Sequence, residues 1–126
     1  MDLKSGLIAE KSFQVAEKDT AQQIGSGSLP VLATPMVVAW MENCATCVID
    51  PHLQANETSV GTAIDVLHMK ASVVGERIMC RAELVAVEGR QLHFTIVATN
   101  VNGEPVATAK HTRFVVDRER FMAKLK

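Results

Sequence analysis

Between Met36 and Ile49 the chain reads MVVAWMENCATCVI, a run apolar around nearly the whole circumference of a helix. Thr34 and Pro35, immediately before it, are a helix start by local chemistry. A threonine hydroxyl at the N-cap accepts from the first turn, and proline is tolerated at the first helical position because its missing N–H would be unpaired there anyway. Asp50 and Pro51 close the segment, since the residue before a proline disfavours helical angles. A helix apolar on nearly every side is a buried helix.

Downstream the period changes to two. Thr58 to Met69 (TSVGTAIDVLHM) sets Val60, Thr62, Ile64, Val66 and His68 on one face and Gly61, Ala63, Asp65 and Leu67 on the other. Arg77 to Val87, Gln91 to Val101 and Pro105 to Val116 read as three further strands. They are joined at Glu88-Gly89 and Asn102-Gly103, both tight-hairpin signals, which makes the three a meander. Upstream, Leu7 to Val15 supplies a first strand, and Ile24 to Pro30 (IGSGSLP) reads as a mobile loop. The order is strand, long helix, then four antiparallel strands. It specifies an α+β domain in two layers, an antiparallel sheet wrapped around one long central helix. That order looks like the hotdog fold, whose subunits generally pair edge to edge and so remove an exposed edge strand.

At 126 residues, 48% hydrophobic and 21% charged, the chain fits a single domain spanning 1–126 and excludes disorder or a disulfide-built miniprotein. No apolar run approaches the roughly 20 residues that span a bilayer, and the first residues lack the pattern of a signal peptide. A cytoplasmic protein with no membrane partner is expected. Three cysteines, Cys44, Cys47 and Cys80, cannot all pair within one chain and are expected to stay free. The net charge is −1, yet residues 110–126 hold six of the thirteen Lys and Arg against two acids. That distribution argues against nucleic-acid binding and leaves room for a small anionic ligand near the C-terminal segment.

Glu42 is the anomaly of the helix. An ionised carboxylate among Val38, Trp40, Met41, Cys44 and Ala45 would lose its hydration, at a cost of several kcal/mol unless it finds a partner or a proton. Either it shares a solvent stripe with Asn43 and Thr46, or it is an acid or base facing a cleft. His68 ends the alternating strand, where an imidazole is either a hydrogen-bonded structural group or a proton carrier. In a two-layer fold such a strand end can approach a helix carboxylate and form an acid–base pair with it. Capping alone explains Thr34; a catalytic role needs the cap to face the same cleft. Gly61 is either a bulge or kink, or a place where backbone approaches a ligand. Cys44 and Cys47 have CxxC spacing but lie inside a helix without further ligands, so they read as small buried hydrophobes and no metal is expected. His52 and His93 read as loop and strand-surface residues. Arg113, Arg118 and Arg120 form either a solvated basic face or a phosphate contact.

Three segments together carry a family resemblance: Leu32-Ala33-Thr34-Pro35-Met36 with Met41-Glu42, Ser59-Val60-Gly61-Thr62 through Asp65-Val66-Leu67-His68, and Arg113-Phe114-Val115-Val116-Asp117-Arg118. They resemble the hotdog thioesterases of the fluoroacetyl-CoA thioesterase type, over about Leu32 to Phe121. The resemblance implies a homodimer that hydrolyses a short-chain acyl-CoA thioester to free acid and CoA, with a Thr/Glu/His catalytic set falling on Thr34, Glu42 and His68, in which Glu42 is either a general base or a nucleophile forming a transient anhydride. It also implies that the Gly61 N–H binds the thioester carbonyl. Coenzyme A enters as part of the substrate and no other cofactor is expected, with Arg113, Arg118 and Arg120 toward its phosphates. The family's aromatic lid has no counterpart in Gly25 to Pro30, which holds no Phe, Tyr or Trp, so fluoroacetyl specificity is not carried over. The alternatives of other classes are a non-catalytic acyl-thioester-binding hotdog domain and a hotdog dehydratase or hydratase.

Overall fold

The change of period along the chain becomes a change of layer. The computed structural model describes residues 2–126. Strand β1 (Ile8–Gln14) precedes a short helix α1 (Ala21–Ile24) and the long helix α2 (Thr34–Ile49). Strands β2 (Glu57–His68), β3 (Arg77–Glu88), β4 (Gln91–Thr99) and β5 (Pro105–Asp117) follow, and a final helix α3 (Arg118–Ala123) ends the chain. The strands make one antiparallel sheet in the order β1-β3-β4-β5-β2, which leaves β2 as a free edge. The expected hotdog order of strand, helix and four strands is therefore what the chain adopts.

Helix α2 lies across one face of that sheet. Val37, Met41, Cys44, Ala45, Val48 and Ile49 form its buried stripe, against Ile78, Leu84, Leu92, Phe94 and Ile96 of the sheet. Ala39, Asn43 and Cys47 on the other side are exposed. The expectation of a helix buried on nearly every side is corrected within one chain, because a single sheet can cover only one side of a helix. Cys47 is accordingly an exposed thiol, whereas Cys44 and Cys80 are buried, with burial pushing Cys80 up to about 12.

The meander closes as expected, with one difference. Glu88 pairs with Gln91 across a two-residue turn, and Gly89 takes the positive φ of 64° that the turn requires. The second hairpin is a three-residue loop, Val101 to Gly103, in which the Asn100 carbonyl accepts from Gly103 N at 3.0 Å. Asn100 Oδ1 accepts from the backbone of Asn102 and Glu104, each at 3.0 Å, and so selects the longer loop over the two-residue turn that Asn-Gly favours.

A second correction concerns β2. Gly61 pairs with Arg113 of β5 but Ala63 pairs with Thr112, so Thr62 is an extra residue, a β-bulge. Alternation is broken there. On β5 the buried, helix-facing residues are Ala107, Ala109, His111, Arg113 and Val115. Their partners on β2 are His68, Val66, Ile64, Gly61 and Ser59, which therefore share the helix side. The bulge brings Gly61 and His68 to the same face, where strict alternation would have opposed them.

The approach to α2 is fastened by backbone. Ala33 N donates to Asp19 O at 3.0 Å and Leu32 N to Ser72 O at 2.8 Å. These bonds fix where the helix begins relative to the end of β2. Asp117 caps α3 by accepting from Arg120 N at 3.0 Å, a local signal in a segment that read only as basic strand.

Candidate active site

Thr34 is the first residue of α2, and Ala33, not Thr34, holds the extended N-cap conformation (φ −72°, ψ 139°) without a side-chain cap. The capping role expected of the hydroxyl is thus corrected. Thr34 Oγ1 lies instead 2.7 Å from Nδ1 of His68. Fastening of the preceding strap puts the helix start beside the end of β2, and a short hydroxyl at the first helical position reaches the imidazole. The other ring nitrogen, Nε2, is buried and has no hydrogen-bond partner among the described residues. Burial pushes the His68 pKa below its ordinary value, which favours the neutral ring near pH 7. Beside the pair lies an open cleft of about 370 Å³, lined by Leu32, Thr34, His68, Lys70 and, from the loop ahead of the helix, Ser26.

Glu42 lies two turns further along the helix, roughly 12 Å from Thr34 at the ordinary helical rise. Its Oε2 is 3.3 Å from Arg113 Nη1 and 3.9 Å from His111 Nε2, and its side chain keeps 38% of its surface exposed. A Cβ built on Gly61 would stand 2.6 Å from the same oxygen, so the glycine is what lets helix and strand close to this distance. Arg113 is held on its far side: Nε donates to Ser59 Oγ at 2.8 Å and Nη2 to Ser59 O at 3.1 Å. His111 Nδ1 lies 2.7 Å from Ala63 O, and because a carbonyl only accepts, that nitrogen carries the proton. Its Nε2 then accepts from Arg113 Nη1 at 3.2 Å. Burial pushes His111 below its ordinary value, in keeping with a neutral ring.

Two clusters thus lie on one face of β2. Thr34 with His68 occupies one end, and Glu42 with Gly61 the other. The acid–base pair expected between Glu42 and His68 does not form within one chain; the imidazole near Glu42 is that of His111. Arg113, expected at the CoA phosphates, is buried to 7% exposure and engaged by Ser59, Glu42 and His111, so it is an interior group and not a surface anchor. Arg118 and Arg120 are exposed on α3. His52 is half-buried in the turn after α2, and His93 lies on β4 against Thr112 and Glu88. Sequence reasoning missed His111 and Ser59. A signal was present: Ala107, Ala109, His111, Arg113 and Val115 alternate on one face, and two polar residues in that buried row ask for a partner. Among the described residues no group of His, Cys, Asp and Glu could hold a metal, and no helix is long and apolar enough to cross a membrane.

A sheet in the order β1-β3-β4-β5-β2 with one long helix across it is the hotdog fold, and together with the relatives below it makes this chain a hotdog-fold thioesterase. The sequence profile of the fluoroacetyl-CoA-specific thioesterases matches residues 15–119, and the chain belongs to that family. A fluoroacetyl-CoA thioesterase of Streptantibioticus cattleyicolor is 36% identical over 96 residues, which are 76% of this chain and 68% of that one. A variant of the fluoroacetyl-CoA thioesterase solved in complex with acetyl-CoA superposes with a TM-score of 0.91 at 29% identity, covering 98% of this chain and 96% of the other. A thioesterase superfamily member from Thermus thermophilus, at 22% identity, shares the fold with a TM-score of 0.90 over 98% and 91% of the two chains.

Proposed function

We propose that this thioesterase hydrolyses short-chain acyl-CoA thioesters as a homodimer, with each site built from Thr34 and His68 of one subunit and Glu42 and Gly61 of the other. One observation carries the reading: both clusters lie on the same face of an unpaired edge strand. A twelve-residue strand with a bare edge is a template for pairing with another copy. With the bulged Thr62 out of register, Gly61 and His68 stand equally far from Asp65 along the strand. A two-fold axis at Asp65 sets Gly61 across from the partner's His68, and it covers the open side of α2 as well. The resulting protein is a homodimer, expected in the cytoplasm.

In that site the thioester carbonyl approaches the backbone at Gly61, whose N–H stabilises the oxyanion. Water attacks the carbonyl carbon and gives a proton to the Glu42 carboxylate. The tetrahedral intermediate collapses, the carbon–sulfur bond breaks, and the proton that Glu42 accepted passes to the CoA sulfur through the neutral imidazole of His68 of the partner subunit, so that both groups end in the states in which they began. Thr34 holds that imidazole in place through the 2.7 Å contact. Exposed Arg118 and Arg120 are the cations left for the CoA phosphates, since Arg113 is occupied. The relative solved with acetyl-CoA supports a short acyl-CoA as substrate class. The experiment is Glu42→Gln, assayed by thiol release from acetyl- and propionyl-CoA. A fall of about 100-fold or more in kcat is expected for loss of a general base. Turnover near the wild-type rate would refute the assignment.

A further inference from the structure

The buried guanidinium and imidazole beneath Glu42 take no part in the chemistry described above, yet they are the groups that touch its carboxylate. We infer that Arg113 and His111 are positioning residues, which fix one oxygen of Glu42 beneath Gly61 and leave the other free for water; this rests on the reading of Glu42 as the catalytic carboxylate.

The geometry runs outward from the strand. Arg113 is pinned first, its Nε on Ser59 Oγ at 2.8 Å and its Nη2 on Ser59 O at 3.1 Å. That fork fixes the plane of the guanidinium and leaves Nη1 pointing under the helix. The two N–H groups on Nη1 have two acceptors: Glu42 Oε2 at 3.3 Å and His111 Nε2 at 3.2 Å. His111 can accept only because its other nitrogen donates to Ala63 O, next to the bulged Thr62. The bulge, the imidazole, the guanidinium and the carboxylate are therefore one chain of bonds. Glu42 Oε2 is tethered at its end, and Oε1 has no hydrogen bond among the described residues. A contact to a half-exposed carboxylate adds little to stability, so its main consequence is orientation. A lysine at 113 would keep the charge but could not bond Ser59 and the carboxylate from one rigid plane.

The test is a double-mutant cycle with Glu42→Gln, read on acetyl-CoA, with thermal melting of every variant. Arg113→Lys should lower kcat by about 30-fold with KM changed less than about twofold, the signature of a misplaced reacting group and not of lost substrate binding. His111→Asn keeps a donor for Ala63 O but is too short to place an acceptor where Nε2 meets Arg113, and should lower kcat by about tenfold. In the Glu42→Gln background neither substitution should cost anything further, because each acts through the carboxylate. Losses that add in that background, or an Arg113→Lys enzyme at the wild-type rate, would overturn the inference. If Arg113→Lys does not fold, the His111→Asn arm decides it by the same criterion. Glu42→Gln at full activity is a different failure: it removes the catalytic reading of Glu42, and the positioning role with it.

Discussion

Replacing Gly61 by alanine separates a catalytic role of this strand position from a structural one. The new Cβ would stand 2.6 Å from Glu42 Oε2, and 3.2 Å from both Arg113 Nη1 and His111 Cε1, where ordinary contact begins at 3.4 Å. The carboxylate oxygen must recede by the difference between 3.4 and 2.6, or 0.8 Å. Glu42 is the flexible, half-exposed member of the group, so it moves while the buried guanidinium and imidazole give by only a few tenths of an ångström. Gly61 does not have a positive φ, so alanine meets no backbone strain there. The fold should therefore lose about 1 kcal/mol, at the low end for overpacking. Displacing a reacting carboxylate by most of an ångström costs on the order of 100-fold in rate, about 2.7 kcal/mol of barrier. Thiol release from acetyl-CoA, paired with a thermal melt, reads both quantities on one sample. A Gly61→Ala enzyme that keeps its kcat within about twofold would refute the placement of Glu42 at the reaction centre.

Other substitutions probe the remaining parts. Thr34→Val should lower kcat by about tenfold or more through loss of the hydroxyl on His68, whereas Thr34→Ser, which can rebuild the 2.7 Å contact, should retain most of the rate. Arg118→Ala with Arg120→Ala should raise KM for acetyl-CoA by about tenfold and leave KM for the acetyl-pantetheine thioester, which lacks the nucleotide, unchanged; an equal effect on both would count against phosphate contact. The pH dependence of stability has a definite sign. Burial lowers the folded-state pKa of both His68 and His111, so below about 6.5 the unfolded chain binds more protons than the folded one. Their contribution is present above that pH and is lost as pH falls through the depressed values. The melting temperature should drop on acidification from pH 7 to pH 5, and His68→Gln should flatten the drop; an unchanged slope in that variant would remove His68 from the account.

Much of the fold was legible because helix and strand have different periods. The helix end at Ile49 followed from the proline beyond it and the helix start from Pro35 to within one residue, Ala33 taking the cap expected of Thr34, and the strands followed from alternation between turn signals. Gly61 marked a bulge or kink as one of two readings, but its effect on the facing of β2 was not legible, since the inserted residue among Gly61, Thr62 and Ala63 shows only against the register of β5. That single residue decides which β2 side chains face the helix. The exposed side of α2 was misjudged because apolar composition cannot say whether a sheet or a second subunit does the covering. Thr34, Glu42 and His68 could each be singled out by residue type and setting, but the distance between Glu42 and His68 depends on two elements crossing in space. His111 and Arg113 were legible in principle as polar residues in a buried row, a pattern obscured by the reading of the C-terminal segment as a basic surface.

The composite site can be tested by mixing two inactive homodimers. Glu42→Gln and His68→Ala subunits, each dead alone, are unfolded together and refolded at equal concentrations. If every site takes His68 from one chain and Glu42 from the other, each heterodimer regains one intact site, and statistical assortment returns about a quarter of wild-type activity. If each site lies within a single chain, no combination restores it, and a mixture as inactive as its parents, in a sample shown to contain heterodimers, would contradict the account.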